Sequence, residues 1–288
     1  MKKISLYYYN DLKNFGDILN VDLIKKVFGI EPVYDSLYSS KLVAIGSLLE
    51  SFLHGSSNTK LLAKRILLPT LYIWGTGFIS AENTRVVRPH NQHEVFFRNV
   101  RVFALRGSLT KIRIEKMYSK DLKIAVGDPG LLSSRLLTVE KPEKRYRLGI
   151  IPHYVDKDNP LINVIHSNVN NSCIIDIFDN PQSFLNNVSQ CEAIVSSAMH
   201  GLIASDSLGI PNARLILSDD IAGGNYKFDD YYSAFNIFNH NRIDFRNSKF
   251  DIGKINSTIN EYNINKEKVK RIQNELVDAF NSIKEKLC

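Results

Sequence analysis

Residues 193–208 read AIVSSAMHGLIASDSL, and their order decides the fold. Ala193–Ser196 is a short apolar run with β-branched residues, closed by hydroxyl residues, which marks a buried strand. Met199–Leu208 follows at once as a helix. A strand that passes directly into a helix is the repeating unit of parallel α/β sheets. In such sheets ligands bind beyond the carboxyl ends of the strands. His200 stands at that join, where an imidazole can exchange a proton near neutral pH.

The same rhythm extends in both directions. Further strands are expected at Ile4–Tyr9, Leu42–Gly46, Tyr72–Trp74, Val102–Leu105, Ile124–Val126, Leu148–Ile151, Cys173–Ile177 and Arg214–Leu217. Helices are expected at Gly16–Phe28, Ser108–Met117 and Pro181–Gln190. A charged stretch with Pro142, Thr138–Arg147, reads as a linker, and Asn163–Asn171 reads as a loop. The expectation is an α/β protein with two Rossmann-like domains whose parallel sheets face a cleft. Residues 1–140 would form the first domain, on the acceptor side, and 147–265 the second, on the donor side. Residues 266–288 would add a terminal helix. There Val269, Ile272, Leu276, Phe280, Ile283 and Leu287 recur three or four apart and make one apolar stripe. Docking on its own chain is the first reading of that stripe; a second copy in a homodimer and a membrane surface are the others.

The composition is that of an ordinary globular protein: 288 residues, 44% hydrophobic and 23% charged. No apolar run approaches the ~20 residues of a membrane span. Cys173, Cys191 and Cys288 form no CxxC pair and no disulfide framework, which suits a reducing cytoplasm. The net charge of +7 is uneven, since Arg101–Arg147 holds 12 Lys and Arg against 5 Asp and Glu. Such a region attracts anions, but no nucleic-acid-binding signature accompanies it. The close histidine pair, His90 and His93, has no cysteine or HExxH pattern beside it, so no metal is expected. A P-loop, a G-x-S-x-G elbow and a full G-x-G-x-x-G fingerprint are all missing.

Several strand-end segments can carry chemistry. Asn14-Phe15-Gly16-Asp17 opens a helix, where free N–H groups can hold an anion, unless Asp17 only caps it. Trp74-Gly75-Thr76-Gly77 permits close backbone approach to a phosphate or sugar. Arg106 ends a strand before Gly107-Ser108 and can fork onto a phosphate or carboxylate. Gly127-Asp128-Pro129-Gly130 reads as a turn, and Ile151-Pro152-His153-Tyr154 brings a second histidine to a strand end. Asn225-Tyr226-Lys227-Phe228-Asp229-Asp230 places a lysine in a loop ahead of a short helix.

Taken in order, NFGD, WGTG, LRG-S, GDPGLL, IPHY, S-x-x-x-HG and KFDD resemble the motifs of the polysaccharide pyruvyl transferase family, over roughly Tyr7 to Phe235. The resemblance implies a GT-B-like fold and transfer of the enolpyruvyl unit of phosphoenolpyruvate onto two hydroxyls of a sugar, with no cofactor. His200 matches the family's general acid, and Arg106 and Lys227 its anion-binding positions. Ser196 and Asn225 complete the expected donor side. Asp17 and Asp128 are the carboxylates that can take a hydroxyl proton. Asn14, Gly16, Gly75, Thr76, Gly77 and His153 are expected along the cleft. Many members carry an arginine where this chain has Ala198, and Arg214 and Lys227 are the candidate replacements. The implied acceptor is a lipid-linked saccharide met at the inner membrane surface. A nucleotide-sugar glycosyltransferase and an inactive glycan-binding relative are the alternatives.

Overall fold

The computed structural model describes residues 2–55, 59–81, 94–137 and 142–287. His90, His93 and the start of the expected linker, 138–141, lie outside the described residues. The order of elements is β1 (Lys3–Tyr7), α1 (Phe15–Phe28), β2 (Glu31–Tyr34), β3 (Leu42–Val43), β4 (Leu53–Gly55), α2 (Thr59–Leu67), β5 (Leu71–Trp74), β6 (Glu94–Phe96), β7 (Val100–Leu105), α3 (Ser108–Tyr118) and β8 (Ala125–Val126). A 3-10 helix, Pro129–Leu136, leads to β9 (Tyr146–Ile151), α4 (Pro160–Asn168), β10 (Ser172–Ile174), α5 (Pro181–Ser189), β11 (Cys191–Ser196), α6 (Met199–Ser207) and β12 (Asn212–Ile216). The chain ends with α7 (Tyr226–Ser233), β13 (Arg242–Asp244), α8 (Ile252–Asn260) and α9 (Lys266–Leu287).

Two sheets result, each wholly parallel. One has the order β2-β1-β3-β5-β7-β8 and the other β10-β9-β11-β12-β13. The fold is α/β with a pair of Rossmann-like sheets, consistent with a GT-B-like arrangement. Central strands such as β5, with all four residues buried, are covered on both faces, as parallel strands require. The small β4–β6 ladder is antiparallel and stands apart from both sheets.

Local chemistry sets the helix ends. Asn14 caps α1 by accepting from the Asp17 N–H, and Gly29 closes it at φ +68°, returning its own N–H to Ile24 and Lys25 carbonyls. The helix buries Phe15, Leu19, Leu23, Ile24 and Phe28 along one face. α9 returns to the first sheet: Phe280 stacks on Phe28 at 4.0 Å, and Trp74 Nε1 donates to the Leu276 carbonyl at 2.9 Å. The apolar stripe read from the sequence is therefore covered by this chain's own core, with Val269, Ile272, Leu276, Phe280 and Ile283 buried.

Some expected elements shift. Asn163–Asn171 is not a loop: Asn159 caps α4, Pro160 starts it with the φ a first turn needs, and the helix runs to Asn168. Asparagine's weak helix propensity lost to the buried Ile162 and Ile165. The first strand stops at Tyr7 and β3 at Val43, so Tyr8, Tyr9 and Ile45–Leu48 pass into loops. Edge strand β2 escapes a periodicity reading because it is short, half exposed and contains Pro32, which an edge tolerates.

Candidate active site

A cavity of about 360 Å³ lies where the carboxyl ends of the two sheets meet. From the first sheet come Tyr7 and Tyr9 after β1, Asn14 and Asp17 at the start of α1, Gly46–Leu48 after β3, and Ile79 after β5. From the second come His153 and Tyr154 after β9, Ile177 after β10, Ala198–His200 after β11, and Lys227 on α7. The Phe15 N–H donates to the Ile177 carbonyl at 2.7 Å, and Phe15 stacks on Phe184, tying the two walls together.

The serines of the Ser-Ser-Ala-Met-His-Gly segment build this wall rather than face the cavity. Ser196 is buried; its Oγ donates toward the Ile151 and Ala198 carbonyls and accepts from the Ala198 N–H. Ser197 Oγ accepts from the His153 N–H at 2.8 Å. A Cβ at Gly201 would stand 2.4 Å from Ser196 Oγ, so this glycine permits the tight strand-to-helix join. Ser196, expected on the donor side, stands outside the cavity lining and braces the join. The join sets His153 and His200 side by side at two neighbouring strand ends.

His200 packs against the start of α1. A Cβ at Gly16 would lie 2.0 Å from His200 Nδ1, so the imidazole occupies the space that only glycine leaves. Gly16→Ala is expected to displace the ring, costing about 1–3 kcal/mol of stability and most of the turnover, as read by thermal melting beside a steady-state assay. Burial and the charges of Lys227 and Arg106 lower the His200 pKa to about 3, and burial with Lys227 lowers that of His153 to about 4. Both rings are therefore neutral near pH 7.

Three other charges define the site. Lys227 is 9% exposed, and its ammonium has no hydrogen-bond or ion-pair partner among the described residues; burial, then Arg106 and Arg214, bring its pKa to about 8. It lies within helix α7 rather than in a loop ahead of it. Asp17 accepts from Asn14 Nδ2 at 2.6 Å, yet burial, aided by Asp11, raises its pKa to about 7. At the start of α6, Ala198 provides no side-chain cap, and Ala198, Met199 and His200 all line the cavity.

Several expected contacts are absent from the lining. Arg106 is fully buried: Nε donates to Asp230 Oδ2 at 2.8 Å, and the other guanidinium nitrogens donate to Ser47 Oγ and the Phe78 carbonyl. The N–H groups opening α3 are likewise taken, by Asp230 Oδ1 at Thr110 and by Ser233 Oγ at Ser108. The LRG-S and KFDD segments thus clamp one sheet's helix to the other's. Thr76 donates to the Gly46 carbonyl and accepts from the Leu48 N–H, while Gly77 leaves space for the Arg106 guanidinium. Gly75, at φ +83°, packs against Pro129. The WGTG turn therefore supports the Gly46–Leu48 loop from behind and does not itself line the cavity. Asn225 is exposed and outside the lining, and Arg214 lies flat on Phe228 at 3.7 Å, also outside it. Among the described residues, Lys227 is consequently the one Lys or Arg that lines the cavity. Asp128 is buried behind His200 rather than in the wall.

The sequence model of the polysaccharide pyruvyl transferase family matches residues 2–219. The chain belongs to the polysaccharide pyruvyl transferase family. That membership makes it a transferase of polysaccharide biosynthesis and covers both sheets' contributions to the cavity up to β12. An uncharacterized protein, L143 of Acanthamoeba polyphaga mimivirus, is 29% identical over 249 residues, 82% of this chain and 76% of that one. Among the described residues of this family member, no helix is long and apolar enough to cross a membrane. Among the cavity residues that motif reading passed over are Ser47, Leu48, Ser51, Ile79 and Tyr9; the signal for Ser47, Leu48 and Tyr9 was the strand-end position of Gly46-Ser47 and of the tyrosine run.

Proposed function

We propose that this protein transfers the enolpyruvyl unit of phosphoenolpyruvate onto two hydroxyls of a sugar in a surface-polysaccharide or cell-wall glycan precursor, forming a pyruvate ketal and phosphate. One observation carries the reading: a buried ammonium without a hydrogen-bond or ion-pair partner among the described residues, a helix start without a side-chain cap and an imidazole meet in one cavity, opposite a carboxyl group. Helix N–H groups and a cation suit the donor's phosphate and carboxylate. Lys227 and the first turn of α6 hold the trianion, whose charge reverses the field that keeps His200 neutral. His200 then protonates the methylene carbon, making the adjacent carbon electrophilic. The first acceptor hydroxyl adds there and gives its proton to Asp17. The second hydroxyl closes the ring, and phosphate leaves with that hydroxyl's proton.

The signs of the pKa shifts give a pH profile. Asp17 must be ionised to act as base, so kcat/KM rises as pH passes about 7. Lys227 must be charged to hold the donor, so kcat/KM falls again by the pH at which it loses its proton, about 8. A steady-state profile in Asp17→Asn should lack the acidic limb. A profile flat from pH 5 to 9 on the order-of-magnitude scale would contradict these roles.

An acceptor carried on a lipid diphosphate would be met at the cytoplasmic membrane face, where the basic surplus of Arg101–Arg147 favours its charge. The deciding assay supplies phosphoenolpyruvate or nucleotide sugars with lipid-linked saccharides. Acceptor-dependent phosphate release supports the reading. Nucleotide release instead would make the protein a glycosyltransferase, and donor binding without turnover an inactive relative.

A further inference from the structure

The 3-10 helix Pro129–Leu136 passes behind His200, and its cap is a carboxyl group with half its capacity unused. Asp128 Oδ1 accepts from the Gly130 N–H at 2.8 Å, while Oδ2 is buried without a hydrogen-bond partner among the described residues. His200 Nε2 is likewise buried without one among those residues. Both side chains border Gly130: a Cβ there would stand 3.0 Å from Asp128 Oδ1 and 3.7 Å from His200 Cδ2, the carbon bonded to Nε2. A capping role needs only Oδ1. An unsatisfied buried polar atom costs about 1–3 kcal/mol, and two of them on side chains that both border Gly130 are explained by a bond made during the reaction.

We propose that Asp128 is the positioning residue of His200, its Oδ2 holding Nε2–H in the donor-bound enzyme so that Nδ1 exchanges protons in the cavity. The inference rests on the transfer reading above. The surroundings fix where the proton lies. Burial brings the Asp128 pKa to about 7, with Arg106 lowering it and Asp230 raising it. His200 is held down by burial, by Lys227 on α7, by Arg106 at the end of β7 and by His153 after β9; Asp17, one residue beyond Gly16, is the nearby acid on α1. With the carboxyl's pKa about 7 and the ring's about 3, the proton rests on Asp128 in preference to His200. A trianion beside Lys227 favours a cation at His200, and the Asp128 proton passes to Nε2, giving carboxylate and imidazolium. Nδ1–H then gives its proton to the donor carbon, and Nε2–H stays with Asp128. Asp17 returns the acceptor's proton to Nδ1, and once phosphate leaves, the Nε2 proton goes back to Asp128.

The test is nitrogen NMR of histidine-labelled protein, with the His200 signals assigned by their loss in His200→Gln. Adding phosphoenolpyruvate to the wild type should shift both ring nitrogens to imidazolium values. In Asp128→Asn, whose amide oxygen still caps Gly130, the donor should bind while the ring stays neutral. That variant should lose kcat on the order of 10²-fold with donor KM within about threefold. A neutral His200 in the donor-bound wild type, or the same imidazolium signal in Asp128→Asn, would overturn the inference alone. Failure of the wild type to bind phosphoenolpyruvate would overturn the functional reading and this one with it.

Discussion

Replacing His200 by alanine lowers kcat by about 10²–10⁴-fold, the range a positioned general acid supplies, with donor KM changed only a few-fold. The split follows from geometry. Lys227, the start of α6 and His200 all line the cavity; in the proposed reaction the first two hold the donor anions and the imidazole meets the carbon that gains a proton. The ring also fills the hollow over Gly16, so the alanine variant leaves a void between α6 and α1. A moderate fall in melting temperature accompanies the kinetic loss. Phosphate release measured against donor concentration separates the effects: a loss confined to KM would move His200 from proton transfer to binding.

Asp230→Ala has the largest effect on stability, about 3–5 kcal/mol. The carboxylate is completely buried and carries four duties: Oδ2 accepts from Arg106 Nε and Thr110 Oγ1, Oδ1 accepts from the Thr110 N–H, and its backbone carbonyl accepts from Ser233 Oγ. The first three are lost with the side chain. Removing it leaves a buried guanidinium without its counter-charge and an α3 start without its acceptor. The space is unforgiving, because a Cβ at Gly107 would already lie 1.7 Å from the Asp230 carbonyl oxygen. Urea titration gives the number directly, and a loss below about 1 kcal/mol would mean that the ion pair is not the clamp described. Since Arg106 also donates to Ser47 Oγ in the cavity wall, donor affinity should weaken in parallel.

Much of this architecture was legible in the sequence because parallel strands, buried on both faces, write themselves as short apolar runs. Ala193–Ser196 into Met199–Leu208 reappears as β11 into α6 almost residue for residue. The strand-end rule likewise led to His200, His153, Lys227 and the start of α1, all of which line one cavity. The motif residues that went elsewhere did so for a common reason. Glycine, serine and arginine at a strand end serve close packing as readily as ligand binding, and sequence does not record which neighbour arrives. Gly77 admits Arg106, Gly201 admits Ser196, and Asp230, 124 positions from Arg106 along the chain, claims the guanidinium expected to meet a phosphate. Ser47 and Leu48 were hidden for the converse reason, because the loop they form is shaped by Thr76 from another strand end.

The proposed transfer cleaves the donor's carbon–oxygen bond, not its phosphorus–oxygen bond. Phosphoenolpyruvate labelled with oxygen-18 at the bridging position decides it in one mass spectrum. Attack at the carbon beside the His200-protonated methylene predicts that released phosphate retains the label and that the sugar product carries an unlabelled ketal. Label appearing in pyruvate, with phosphate unlabelled, would show phosphoryl transfer and contradict the account.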